Sequence, residues 1–204
     1  MVEFGDNLEE KDAIKPEKKE KHLLHLLFLG VDWQRKGGSI AIAACKELNQ
    51  RGIFSILHII GIKNLDKSII EYPFVNNIGF LDKNKPEQYQ ILMENIHKCH
   101  CLLIPTMAEC AGHVFCEASA NGLPIFSHIT GGTQNYVVDG TNGYLLPLGS
   151  TGIDFANKIA ECYRSGELEK MSHTARQLYE EKLNWIIWSK KIKIIIESLK
   201  PVVE

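Results

Sequence analysis

The sequence predicts an α/β fold, a doubly wound parallel sheet with helices on both faces. Two continuous apolar runs, Leu23 to Gly30 and Phe54 to Gly61, end in glycine, as expected of strands covered on both sides in a parallel sheet. Stretches with apolar residues at helical spacing, Ser39 to Gln50 and Glu87 to Lys98, alternate with such runs. With 204 residues, 45% hydrophobic and 24% charged, the chain has the composition of an ordinary globular protein and the length of one well-buried domain.

Residues 1–22 are expected to be a charged, solvated linker. Glu9 to His22 is dense in charge, holds Pro16 and has almost no apolar residue to bury. The domain is expected over 23–204. Its first strand runs into the turn Gly30-Val-Asp-Trp-Gln-Arg-Lys-Gly-Gly38, followed by a helix whose core face is Ile40, Ala43, Ala44 and Leu48. Phe54 to Gly61 is the second strand, and Phe74 to Leu81 contains a short third one. Glu87 to Lys98 follows as a helix with Tyr89, Leu92, Met93 and Ile96 inward. Cys101 to Pro105 is a strand, and Val114 to Asn121 a helix stopped by Gly122 and Pro124. Pro124 to His128 is the fifth strand and Gly143 to Pro147 a short further one. The paired glycines in Thr130-Gly-Gly-Thr133 permit a close backbone approach to a ligand. Asp154 to Tyr163, Leu168 to Glu181 and Trp185 to Leu199 supply three closing helices. His22, His25, His58, His100 and His128 each read as packed or solvated side chains, not as bases.

The formal net charge is −2, from 23 basic and 25 acidic residues, so no global field draws the chain to nucleic acid or an anionic membrane. Any anion site must be local. No stretch has the length or apolarity of a membrane span, and the N-terminus lacks a signal-peptide pattern, which makes a cytoplasmic location the expectation. Six cysteines, Cys45, Cys99, Cys101, Cys110, Cys116 and Cys162, are then expected as reduced thiols. His97, Cys99, His100, Cys101, Cys110, His113 and Cys116 lie close in sequence, but without two paired C-x-x-C units no metal site is expected.

Chemistry concentrates in two turns. Glu109 and Glu117 bracket a strand–loop–helix passage in which Gly112 precedes the helix. The first-turn N–H groups, those of His113 and Val114 among them, together with the helix dipole, favour an anion such as phosphate there. Both carboxylates can face one ligand, and a carboxylate is a bidentate acceptor for sugar hydroxyls. The bland alternative is two ordinary surface glutamates. Arg35 and Lys36 lie at the carboxyl end of the first strand, where ligands bind in open α/β sheets, and adjacent cations suit a diphosphate. The alternative is a solvated basic turn, since Gly30-x6-Gly37 is neither a Walker nor a dinucleotide fingerprint.

Taken together, Phe28-Leu-Gly30, Arg35-Lys-Gly37, Gly79-Phe-Leu81, Pro105 with Glu109-Cys-Ala-Gly-His-Val-Phe-Cys-Glu117-Ala, Asn121-Gly-Leu-Pro124, and Gly131-Gly132 with Asp139-Gly140-x-Asn-Gly143 resemble the C-terminal half of glycosyltransferase family 4 over roughly residues 23 to 165. The chain departs from that pattern at Cys110, Ala111 and His113, where Gly, Phe and Leu are usual, and at Asn135, where Glu is common. The resemblance implies one Rossmann-like half of a GT-B fold, in a retaining, metal-independent enzyme without cofactor. It implies that Gly30 and the backbone near Leu81 line the nucleotide site, with Leu81 at the base. By the same resemblance Arg35 and Lys36 contact the diphosphate, Glu109 the donor sugar and Glu117 the ribose. Arg35, Lys36 and Glu109 are then the catalytic candidates, and Gly112, His113 and Val114 line the substrate site.

The expected ligand is a UDP- or GDP-sugar. The expected partner is a missing N-terminal acceptor domain or separate subunit, through which the protein would meet the inner membrane peripherally; no nucleic acid is expected. Met1 to Asn7 resembles the end of an interdomain connection. The alternative functions are a non-catalytic nucleotide-sugar-binding or regulatory subunit and, more remotely, a nucleotide-sugar epimerase.

Overall fold

The computed structural model describes residues 22–199. The expected linker therefore lies outside the described residues except for its last position. Six strands, β1 (Leu24–Leu29), β2 (Ser55–Ile60), β3 (Val75–Gly79), β4 (Cys101–Leu103), β5 (Ile125–His128) and β6 (Gly143–Leu146), form one parallel sheet in the order β3-β2-β1-β4-β5-β6. Helices α1 (Gly38–Gln50), α2 (Lys67–Ile70), α3 (Pro86–Lys98), α4 (His113–Ala120), α5 (Gly152–Ser165), α6 (Glu167–Glu181) and α7 (Trp185–Ser198) connect and close it. This is the doubly wound arrangement, and the strand order reverses between β1 and β4.

The continuous apolar runs occupy the centre, as their composition requires. Leu24, Leu26, Leu27 and Phe28 of β1, all of β4 and all of β5 are buried, whereas the edge strand β3 keeps every residue at least partly exposed. All six strands and the six long helices lie where the sequence places them. Helix α2 and a 3-10 turn at Thr133–Asn135 are additional. A four-residue helix is too short to carry an apolar period; α2 is marked only by Asp66, whose carboxylate accepts the Ser68 N–H at 2.8 Å.

The core face of α1 differs from expectation. Ala41, Ile42, Ala44, Cys45 and Leu48 are buried, and Ala43 is exposed. The helix is packed against both the sheet and α5, whose first turn lies against Ala43 and Ala44, so its buried arc is set by two neighbours rather than one. Helix α7 has no buried residue, and Ile186, Ile194, Ile196 and Leu199 are exposed. Among the described residues no helix is long and apolar enough to cross a membrane.

The histidines are not independent packing residues. His25 on β1, His58 on β2 and His100 before β4 share one face of the sheet, with His25 Nδ1 2.8 Å from His58 Nε2. The Asn76 amide nitrogen lies 3.0 Å from His58 Nδ1 and can only donate, so His58 accepts there and carries its proton on Nε2, toward His25. That pattern needs both rings neutral. Burial, followed by the nearby charge of Lys98, outweighs a hydrogen bond with Asn95 and pushes the His58 pKa down to about 4. The unfolded chain protonates this group near pH 6.5. The unfolded state therefore binds the extra proton between about pH 6.5 and 4, and folding loses stability as pH falls through that window. We expect a loss on the order of 2–3 kcal/mol from this residue, measurable by urea denaturation at stepped pH, and a flatter acid limb in His58→Gln. Equal pH dependence in the two chains would refute the assignment.

Candidate functional site

The β1–β4 adjacency carries two loops out of the sheet side by side, residues 30–37 and 104–112. They are bonded to each other before any side chain is considered. The Met107 N–H donates to the Arg35 carbonyl at 2.7 Å, and the buried Thr106 hydroxyl lies 3.2 Å from that carbonyl and 3.0 Å from that of Ala108. Gly37, at φ 75°, caps the start of α1. A Cβ there would sit 2.0 Å from the Pro105 carbonyl oxygen, so only glycine allows α1 to begin this close to β4. Gly30 leaves the space through which the Lys36 stem passes, since a Cβ on it would meet Lys36 Cγ at 3.1 Å.

Arg35, Lys36 and Glu109 are thereby brought together. Lys36 and Glu109 form an ion pair with side chains only 9% and 10% exposed. The other Glu109 oxygen accepts the N–H groups of Cys110 at 3.2 Å and Gly112 at 3.3 Å. Glu109 thus places a carboxylate against the start of α4, where the sequence points to an anion site. Burial alone would raise its pKa, but the Lys36 hydrogen bond and charge and the Gly112 and Cys110 amides outweigh it and hold the carboxyl below its ordinary value. Arg35 is half-exposed. Its Nη1 donates to the Ala108 carbonyl at 3.0 Å and stands 4.0 Å from Glu109, while its Nε pairs with Asp32 at 3.3 Å.

Helix α4 starts one residue earlier than expected, at His113, with Gly112 in the left-handed region as N-cap and no side-chain cap. His113 is exposed and Val114 partly buried at its first turn; Glu117 lies one turn in, 13% exposed, and pairs with Lys83. Leu81 is in the turn between β3 and α3, partly buried against the core, two residues before that lysine. Lys83 was not among the residues singled out from the sequence, because a lysine in a polar turn carries no local signal.

The paired glycines make room for the chain itself. A Cβ on Gly131, at φ 50°, would lie 2.0 Å from the Glu109 carbonyl oxygen, and the Gly132 N–H donates to that oxygen at 3.2 Å. They hold the Glu109 loop from behind. Beyond the ion pairs, a groove of about 540 Å³ opens between the loops after β1 and β2, lined by Asp32, Trp33, Gln34, Gly61 and Lys63 among others. Among the described residues no group of three or more His, Cys, Asp or Glu side chains is placed to hold a metal ion. Cys110 is the exposed cysteine, and the other five are buried.

Residues 9–178 match the family of glycosyl transferases group 1. The chain belongs to that family. Among its relatives is an uncharacterized glycosyltransferase of Methanocaldococcus jannaschii, 27% identical over 159 residues, which are 78% of this chain and 44% of that protein. Solved glycosyltransferase structures share the fold. HepE of Anabaena in complex with UDP superposes with a TM-score of 0.71 at 17% identity, over 87% of this chain and 50% of that one. The pneumococcal O-GlcNAc transferase GtfA in complex with UDP and GlcNAc gives 0.68 at 19% identity, over 98% of this chain and 39% of its own, and a GtfA/B complex gives 0.70 at 20% identity, over 91% and 38%. This member of the family thus spans half or less of the length of these proteins.

The pairing makes a specific demand on Lys36. Replacing it with methionine leaves Glu109 nearly buried without its cation, and we expect Lys36→Met to lose about 2–3 kcal/mol in urea denaturation at pH 7. The acid limb should change too. In the parent chain the depressed Glu109 contributes stability above the unfolded carboxyl value, lost as pH falls through the lower folded value; without Lys36, burial pushes the group up and that contribution shrinks or reverses. A parent-like acid limb in Lys36→Met would contradict the role given to this pair.

Proposed function

We propose that this chain is the C-terminal, donor-binding half of a retaining, metal-independent glycosyltransferase of family 4, with residues 23–204 as the donor domain and 1–22 as the end of the interdomain connection. The observation that carries the reading is the Lys36–Glu109 pair at the β1–β4 reversal of a doubly wound sheet, with Arg35 beside it and Glu117 one turn along α4. Ligands of such sheets bind outside the carboxyl ends of the strands at that point. A nucleotide sugar laid there has its base near Leu81, its ribose hydroxyls on Glu117, its diphosphate against Arg35, Lys36 and the start of α4, and its sugar near Glu109.

Each group then has a chemical task. An ammonium has three donors, so Lys36 can keep Glu109 and still donate to a phosphate oxygen. As the bond from sugar to diphosphate breaks, negative charge grows on the leaving group, and two cations held by their own carboxylate partners stabilise it. Glu109, held ionised, accepts sugar hydroxyls and orients the donor. The acceptor is then held by a second domain or subunit. UDP- and GDP-sugars are the candidate donors.

Calorimetric titration with UDP, GDP and their sugars tests the assignment. Binding should survive EDTA, and a tenfold loss on chelation would refute metal independence. Glu117→Ala should cost about 1.5–3 kcal/mol of nucleoside diphosphate affinity. Glu109→Ala should leave plain diphosphate binding undiminished while weakening the intact nucleotide sugar. The isolated chain should bind donor and transfer no sugar; turnover by it alone would overturn the half-site reading.

A further inference from the structure

Glu117 is the carboxylate assigned above to the ribose, and the inference that follows rests on that assignment. Its side chain is nearly buried, and among the described residues its carboxylate pairs with Lys83, 34 residues away in sequence and itself 48% exposed. Lys83 does not reach it from a loose loop. The turn that carries it is tied down on both sides. The Asp82 carboxylate accepts the Asn84 backbone and side-chain N–H groups, both at 3.0 Å, and the Asp82 N–H donates to the Gln88 side chain at 2.7 Å. The Lys85 N–H donates to the Asp82 carbonyl at 3.1 Å, and Pro86 opens α3 immediately after.

The ion pair therefore joins the turn before α3 to α4. A glutamate has three rotatable side-chain bonds, and a carboxylate meant to accept two vicinal hydroxyls must be held in one orientation before they arrive. Lys83 occupies Oε1 and leaves Oε2, with its lone pairs, to the ligand. It also offsets the charge of Glu117, as Lys36 offsets that of Glu109, so a dianionic diphosphate docks beside two glutamates without net repulsion.

We propose that Lys83 is a positioning residue for nucleotide recognition, which sets the Glu117 carboxylate for the ribose diol and neutralises it for the adjoining diphosphate. A merely structural lysine would leave sugar-ring discrimination alone, so the test compares ribose with deoxyribose. Parent chain, Lys83→Met, Lys83→Arg, Glu117→Ala and Lys83→Met/Glu117→Ala are titrated with UDP, GDP and the 2′-deoxy form of whichever binds tighter to the parent. The parent should prefer the ribonucleotide. Lys83→Met should lose about tenfold in ribonucleotide affinity and bring the preference below about twofold, with an unchanged unfolding midpoint, and Lys83→Arg should restore most of both. In the Glu117→Ala background the Lys83 substitution should add less than about twofold.

Parent-like affinity and preference in Lys83→Met, alongside a weakened Glu117→Ala, would overturn the role of Lys83 and leave the ribose assignment standing. Tighter binding by Lys83→Met would also overturn it, by showing that the lysine competes with the ribose. Parent-like binding by Glu117→Ala would overturn both.

Discussion

The parallel pairing of β1 with β4, Leu26 beside Cys101 and Leu27 beside Leu102, is the constraint on which the site depends. Between these strands the chain makes α1, β2, α2, β3 and α3, and the crossovers return it to the other side of β1. Two loops 73 residues apart at Lys36 and Glu109 then leave the sheet as neighbours. Their backbones bond through Met107 and Arg35, glycine at 37 removes the Cβ atom that would hold them apart, and glycine at 131 lets the 130–132 turn back the Glu109 loop. Without that closeness a lysine and a glutamate on two surface loops would pair weakly and transiently.

Burying such a pair is not an efficient route to stability. The desolvation of two charges offsets much of their attraction, and an apolar pair of the same volume often serves as well. Its use is local. The chain as a whole carries a formal charge of −2, yet at the carboxyl end of the sheet Arg35, Lys36 and Lys83 converge on two carboxylates. The result is a nearly neutral cluster of strong donors and acceptors in a partly dry setting, where each hydrogen bond to an incoming anion or hydroxyl is stronger than in water. The paired cations also offset the carboxylates, so that a diphosphate is not repelled.

The histidine network on the sheet shows the same logic in a different place. His25 and Asn76 satisfy both ring nitrogens of His58, which is the condition for burying a polar side chain on β2. Separately each histidine reads as ordinary packing. Their meeting follows from strand register, Leu27 beside His58 and His25 two residues before it, and register is not a local property.

By itself the sequence determined the strands, the long helices and the turn in which Glu109 and Glu117 sit. These follow from short-range causes: apolar runs for covered strands, helical spacing for α3, and glycine or proline at the ends. Arg35, Lys36, Glu109 and Glu117 were legible too, because a basic turn after the first strand and two glutamates bracketing a helix start are local patterns. The tertiary structure alone decided which groups meet. Lys36 with Glu109, Lys83 with Glu117, His25 with His58, and Gly131 behind the Glu109 loop each join residues brought together by strand order and crossover. The buried face of α1 shifted for the same reason, since α5 packs against it from a distant part of the chain. Local preference acts within a few residues, whereas an ion pair needs two side chains within about 4 Å, and only the packed sheet supplies that.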